Sequence, residues 1–93
     1  MEGDLRLILK MDKSELITQI LSYENKIGMW KIFINELATT DFAIGYCFDD
    51  NTKLWTVYQN AERGMVTEWT FENEEQAVEK LYKKVKFQHK ILN

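Results

Sequence analysis

Apolar residues near the start of the chain recur at the spacing of an amphipathic helix. The order from Asp12 to Glu15 matches a capping box, in which an acceptor side chain is followed three residues later by Glu. The apolar positions behind it form one helical stripe of Leu16, Ile17, Ile20 and Leu21. We therefore expect a first helix over about residues 13–25, which ends before Gly28 because glycine commonly stops helices.

The same pattern returns near the end of the chain. A second capping box runs from Asn73 to Gln76. The apolar stripe behind it consists of Ala77, Val78, Leu81, Tyr82 and Val85, and it can extend to Leu92. The sequence therefore predicts a C-terminal amphipathic helix.

Between the two helices the apolar residues alternate with the period of two that is typical of β-strands. The β-prone runs are 30–34, 42–48, 54–59 and 65–71, of which the first is the shortest. Turn-forming residues separate the last three runs, at 49–53 and at 60–64. The chain is therefore predicted to be one α+β domain over residues 1–93. We expect an antiparallel β-meander of three to four strands, with an N-terminal and a C-terminal helix packed on one face.

The alternation divides the strand residues into two faces of different bulk. The bulkier face would carry Phe42, Ile44, Tyr46, Phe48, Trp55, Val57, Met65, Trp69 and Phe71. The other face would carry Ala43, Gly45, Cys47, Leu54, Thr56, Tyr58, Val66, Glu68 and Thr70. Because large aromatic side chains contribute most to the core of a small domain, we expect the helices to cover the bulkier face.

Residues 1–10 are open to three interpretations: a short strand, a helical extension or a mobile lead-in. Their apolar run follows two acidic residues and is ended by Lys10, so a secretory leader is not expected. No apolar run reaches the roughly 18 residues that span a bilayer. The single cysteine, Cys47, can form no internal disulfide, which favours a cytoplasmic protein.

Charge is distributed unevenly along the chain, whose net charge is −3. Residues 36–79 carry ten acidic residues against only Lys53 and Arg63, a net charge of −8. Residues 80–93 carry five lysines and no acidic residue. We therefore expect an acidic surface around the strands and their turns, and a basic end on the last helix.

No combination of side chains predicts catalysis, a metal site or a cofactor. His89 is the only histidine and lies among lysines, without an evident partner for acid–base chemistry. Cys47 lies between two aromatic residues of a predicted strand, where a buried small hydrophobic side chain is expected. Residues 49–51 lack the glycine and the distant glutamate of a calcium loop. We expect a protein that is not an enzyme and that holds no cofactor.

Several short motifs follow one another in the second half of the chain. In order, they are a strand with Gly45, the strand Trp55-Thr56-Val57-Tyr58, the turn Glu62-Arg63-Gly64, the aromatic strand Trp69-Thr70-Phe71 and the helix start Glu75-Gln76-Ala77. This arrangement, over residues 45–85, resembles small bacterial immunity proteins of polymorphic-toxin and contact-dependent growth inhibition systems. The resemblance implies a non-catalytic inhibitor that binds one cognate toxin domain.

The resemblance and the charge together predict the kind of partner. Many toxins of these systems are nucleases, whose clefts must be basic to hold phosphate. We therefore expect the partner to be a toxin C-terminal domain, a nuclease, with no membrane and no direct nucleic-acid contact. The candidate toxin-binding residues are Asp49, Asp50, Tyr58, Glu62, Glu68, Glu72, Glu74 and Glu75. Tyr58 is the expected aromatic anchor among them, and the oligomeric state is left open.

The basic end of the last helix provides an alternative prediction. Residues 80–90 contain five lysines, which could contact phosphate in a small nucleic-acid-binding or regulatory protein. This segment contains no arginine for reading bases, and lysines near a helix C-terminus also offset the helix dipole. The acidic surface therefore remains the first prediction.

Overall fold

The structure is a computed structural model that describes residues 12–92, so the three interpretations of residues 1–10 lie outside the described residues. Its elements confirm an α+β fold with one helix before and one helix after the sheet. In chain order they are α1 (Lys13–Leu21), β1 (Lys31–Phe33), β2 (Ala43–Asp49), β3 (Leu54–Asn60), β4 (Val66–Phe71) and α2 (Glu74–Leu92).

The four strands form one sheet in the order β1-β2-β3-β4. Strands β2, β3 and β4 make the expected antiparallel meander, with Tyr46 opposite Val57 and Val57 opposite Trp69. Strand β1 differs from the prediction, because it pairs with β2 in parallel and Lys31 lies opposite Ala43. The sheet is therefore mixed. Parallel pairing requires the chain to cross over the sheet between the two strands, and residues 34–42 make that crossover.

The face of the sheet that was predicted to be buried, called the inner face, lies under the helices. Ile44, Tyr46 and Val57 form one core cluster with buried residues of both helices. The helical members are Leu16, Ile20, Ala77, Val78, Leu81, Tyr82 and Val85. Trp55 and Trp69 pack against this cluster, as predicted.

Three residues predicted for the buried face are less buried or lie elsewhere. Phe48 is on the inner face but 39% exposed, and its ring packs against Trp55 at a centroid distance of 4.9 Å. Met65 precedes β4 and is 71% exposed. Phe42 precedes β2, has a φ of +57° and contacts the edge of Trp30. The period-two pattern therefore extends one residue beyond the true start of both strands.

The predicted helix caps are confirmed, and the end of α1 is earlier than predicted. Asp12 Oδ1 accepts a hydrogen bond from the Glu15 N–H at 2.8 Å, and Asn73 Oδ1 accepts one from the Gln76 N–H at 2.9 Å. Helix α1 ends at Leu21. The backbone turns away before Gly28, because Asn25 already has a φ of +69°.

Two residues of the predicted helical stripes are not buried. Leu21 is 42% exposed at the end of α1, and Leu92 is 52% exposed at the end of α2. Both lie at the last turn of a helix, where the apolar stripe runs past the packed core.

Candidate functional site

The outer face of the sheet, opposite the helices, is covered at one end by the crossover 34–42. The Tyr58 hydroxyl donates a hydrogen bond to the Glu36 carbonyl at 2.6 Å and accepts one from the Ala38 N–H at 3.0 Å. Asn60 Nδ2 donates to the Ala38 carbonyl at 2.8 Å. Two polar side chains of β3 therefore hold this segment on the sheet, and both are at least 95% buried beneath it.

Gly45 allows β1 and the crossover to approach the outer face closely. A Cβ atom at this position would lie 2.3 Å from the Phe33 carbonyl oxygen and 2.9 Å from the Tyr58 hydroxyl. No side chain fits there without moving backbone, so the glycine in this strand has a packing reason. It is also the glycine of the first motif that resembles those of immunity proteins.

Tyr58 lies on the outer face, as expected, but it is only 1% exposed. Burial raises the pKa of Tyr58 to about 12, although the hydrogen bond from the Ala38 N–H acts in the opposite direction. In this arrangement Tyr58 anchors a segment of its own chain. The expectation of an exposed aromatic contact at this position is therefore replaced by a role in the fold.

The uncovered end of the outer face forms an open groove of about 660 Å³. Cys47 and Thr56, which are neighbours across β2 and β3, lie on its floor. Its full lining is Asn35, Glu36, Leu37, Cys47, Phe48, Asp49, Asp50, Asn51, Thr56 and Glu68, and it is called the acidic groove below. Four carboxylates line it, and no lysine or arginine of the described residues does.

The electrostatic effect of these carboxylates shows at Cys47. Burial raises the pKa of the Cys47 thiol, and the charges of Asp49 and Glu68 raise it further. The thiol therefore stays protonated and is a poor nucleophile. Cys47 was expected to be buried, and it is instead a half-buried residue of the groove floor.

The structure separates the predicted contact residues into groups. Asp49, Asp50 and Glu68 lie together in the acidic groove. Glu62 lies in the turn between β3 and β4, and Glu72 and Glu75 are exposed near the start of α2.

Glu36 completes the groove although the sequence did not single it out. Its segment has no periodicity, and only the parallel pairing of β1 brings it across the sheet.

Glu74, another of the predicted contact residues, links the two helices to the sheet. Its two carboxylate oxygens accept hydrogen bonds from Lys13 Nζ and from the Tyr46 hydroxyl, both at 2.8 Å, and so join α1, α2 and the sheet. Partial burial alone would raise the pKa of Glu74, but the hydrogen bonds and the charge of Lys13 lower it overall. The hydrogen bond to Glu74 and its charge raise the pKa of Lys13. Burial, and to a smaller extent the hydrogen bond to Glu74, raise the pKa of Tyr46.

The turn between β3 and β4 is a 3₁₀ turn over Glu62–Gly64. Arg63 and Gly64 both have positive φ, at +62° and +74°. The Ala61 N–H donates a hydrogen bond to the Met65 carbonyl at 2.7 Å, and this bond closes the hairpin. The Arg63 N–H donates to a carboxylate oxygen of Asp41 at 3.2 Å. This confirms the predicted turn and ties its tip to the crossover.

The basic end of the chain lies on the helix side of the sheet. The ammonium groups of Lys80 and Lys84 lie 4.9 and 4.8 Å from the centroid of the Trp69 ring, over the inner face. The lysines near the end of the chain and the carboxylates of the acidic groove therefore lie on opposite sides of the sheet.

Within residues 12–92, no group of three or more histidine, cysteine or acidic side chains is placed to hold a metal ion. No helix in this part of the chain has both the length and the apolar character needed to cross a membrane. Comparison of the chain with protein-family models, with curated proteins and with solved structures finds no match.

Proposed function

We propose that this chain is an immunity protein that binds and neutralises a cognate toxin domain in the cytoplasm without catalysis of its own. The partner is a basic domain, of the nuclease class. The motifs over residues 45–85 support the immunity role, and the acidic groove supports the basic partner.

The acidic groove is the observation that carries the proposal. Asp49, Asp50, Glu68 and Glu36 line one open surface on the only sheet face that the helices leave uncovered. A cleft that binds nucleic acid has the opposite charge, because it must neutralise phosphates. Complementary charge speeds the encounter of two proteins and suppresses wrong partners.

The groove also has a contact that does not depend on charge. Leu37 lines the groove and is 64% exposed on the crossover. Buried apolar contacts surrounded by charged groups are the usual composition of a specific protein interface. The groove therefore offers affinity from Leu37 and steering from the carboxylates.

The alternative, nucleic-acid binding through α2, has weaker support. Lys80 and Lys84 lie over Trp69 and Lys86 lies over Tyr82, so three of the five lysines already interact with an aromatic ring of the same chain. A filter-binding assay with duplex and single-stranded nucleic acid tests this alternative directly.

The test first searches the neighbouring genes for a large secreted protein and then co-expresses this chain with that protein's C-terminal domain, the candidate toxin. The wild type should restore growth of cells that express the toxin domain and should co-purify with it. A variant with Asp49→Lys, Asp50→Lys and Glu68→Lys should lose both effects. The control carries Glu15→Lys, Glu24→Lys and Glu79→Lys, the same charge change outside the groove, and should protect like the wild type. Failure of the wild type to bind or protect would refute the proposal.

A further inference from the structure

Strand β4 has a free edge within residues 12–92. It is the last strand of the sheet, and its other side pairs with β3 over the complete strand, from Val66 opposite Asn60 to Phe71 opposite Trp55. Most of its side chains are exposed, and no strand of the described residues covers the edge. An edge of this kind is a template for another extended chain.

The register identifies the backbone groups that the edge presents. The Ala61 N–H bonds to the Met65 carbonyl, which makes these two residues a hydrogen-bonded pair. Hydrogen-bonded and non-hydrogen-bonded pairs alternate along an antiparallel ladder. Thr67, Trp69 and Phe71 therefore bond to β3, while Val66, Glu68 and Thr70 direct their N–H and carbonyl groups away from the sheet.

The two sides of this edge differ in chemistry. On the outer side, Glu68 is the central residue, and Glu62 and Glu72 flank the strand at its two ends. On the inner side, the Trp69 ring belongs to the strand itself, and Lys84 Nζ lies 4.8 Å from it and 5.6 Å from the Phe87 ring of α2. Phe87 is 55% exposed.

We infer that β4 binds an extended segment of the partner protein by antiparallel strand addition, and that this segment alternates basic with apolar residues. The basic residues lie on the outer side opposite Glu68, and the apolar residues lie on the inner side against Trp69. Lys80 and Lys84 disfavour basic residues on that inner side. The inference rests on the basic partner of the proposed function and adds a second contact beside the acidic groove.

A second copy of the chain fits this edge less well. In a two-fold antiparallel pairing centred on Glu68, the middle of the three outward-facing residues, Glu68 would lie directly opposite its own copy. Like charges directly opposite each other destabilise a strand pair. A basic segment removes this conflict, which is why the edge is assigned to a different protein.

The probe for the test is a short synthetic peptide of alternating lysine and valine. Its lysines should lie opposite Val66, Glu68 and Thr70, because directly opposed residues share a face. Methylation of the lysine backbone nitrogens should therefore weaken binding roughly tenfold or more, since it removes the donors that face β4. Methylation of the valine nitrogens, which face solvent, should leave binding unchanged. Binding is followed by Trp69 fluorescence and by amide exchange at Val66, Glu68 and Thr70.

Thr70→Pro provides the matched change in the protein. Proline removes an N–H that faces away from the sheet, and edge strands tolerate it there. Thr70→Val keeps the N–H and is the control. Thr70→Pro should keep the thermal midpoint within a few degrees of the Thr70→Val value and weaken peptide binding roughly tenfold. Equal binding by the lysine-methylated peptide, or by a folded Thr70→Pro variant, would overturn the inference.

Two further results separate this inference from the proposed function. If Thr70→Pro binds the toxin domain as tightly as the wild type does, strand addition is wrong and the immunity role stands. If the wild type neither binds nor protects, the immunity role is wrong, and the peptide experiment still decides what the edge recognises. A wild-type dimer that Thr70→Pro converts to a monomer would assign the edge to a second copy and refute the inference.

Discussion

On the inner face of the sheet, Ile44, Val57 and Leu81 are fully buried and touch one another through apolar surface. On the outer face, Tyr58 and Asn60 are as deeply buried, but they hold the crossover 34–42 through hydrogen bonds. Apolar burial stabilises roughly in proportion to its area, whereas each hydrogen bond contributes about 1 kcal/mol net.

This difference explains why one face is closed and the other is half open. The inner face gains stability from every residue that the helices cover. The outer face gains stability only where Tyr58 and Asn60 bond to the crossover. Beyond these two residues, the carboxylates of the acidic groove stay hydrated, because burying their charges would cost free energy. The groove is therefore a surface on which a binding partner can replace that water without disrupting the core.

The largest expected effect is on the inner face. Leu81→Ala should lower the free energy of unfolding by about 2–5 kcal/mol, because it leaves a cavity at a fully buried site. Leu37→Ala makes the same change at a 64% exposed position of the crossover and should cost less than about 0.5 kcal/mol. Urea unfolding measures both, and similar losses would contradict the contrast between the faces.

Two glycine substitutions test how tightly the outer face is packed where it is covered. Gly45→Ala should cost about 3 kcal/mol, because its Cβ would lie 2.3 Å from a backbone oxygen of β1. Gly64→Ala meets no atom within 4 Å, and its φ of +74° should cost only about 1 kcal/mol. Thermal unfolding compares them, and a Gly45→Ala variant as stable as Gly64→Ala would show that β1 is not held against β2 as described.

Tyr58→Phe should cost about 2 kcal/mol, since it removes two part-buried hydrogen bonds and leaves the Glu36 carbonyl and the Ala38 N–H without this partner. Amide exchange should speed up locally over residues 36–40, while the core amides of β3 change little. Tyr46→Phe is the matched control on the inner face and should leave 36–40 protected. Unchanged exchange in Tyr58→Phe would mean that the hydroxyl does not hold the crossover.

The smallest expected effect depends on pH. The folded state lowers the pKa of Glu74, so its carboxylate stabilises the fold above the ordinary glutamate pKa of about 4.3. That contribution is lost as the pH falls through the folded-state pKa. Glu74→Gln should therefore be less stable than the wild type near neutral pH, and the gap should narrow in acid. Glu75→Gln removes a charge from the same helical turn and is the control. If both variants differed from the wild type in stability by the same amount at every pH, this role of Glu74 would be contradicted.

The sequence predicted the inner face because one local pattern determines it. The buried residues of both helices lie on the predicted stripes, and Ile44, Tyr46 and Val57 lie on the predicted sheet face. Helical and strand periods report which side of an element is apolar, and here apolar burial decides the packing. The same pattern wrongly included Phe42 and Met65 in the strands, since periodicity does not mark where a strand begins.

The outer face could be predicted only in part, because contacts distant in sequence determine it. Period two placed Tyr58 outside, but its burial depends on a crossover that bonds to it from 20 and 22 residues away. The parallel β1 was missed for the same reason. Charge counting found Asp49, Asp50 and Glu68 but could not separate them from Glu74, whose partner Lys13 lies 61 residues away. Gly45 inside a strand was the one local sign of the close approach.

The central claim is that the open acidic groove steers a basic partner, and association kinetics test it most directly. Stopped-flow mixing with the toxin domain at increasing salt would compare the wild type, the triple groove variant of Asp49, Asp50 and Glu68, and the charge-matched control of Glu15, Glu24 and Glu79. We predict that the groove variant associates at least roughly tenfold more slowly at low salt and with a shallower salt dependence. The control should lie close to the wild type. Equal slowing in both variants would mean that association depends on net charge and not on the groove. No slowing in the groove variant would contradict the claim.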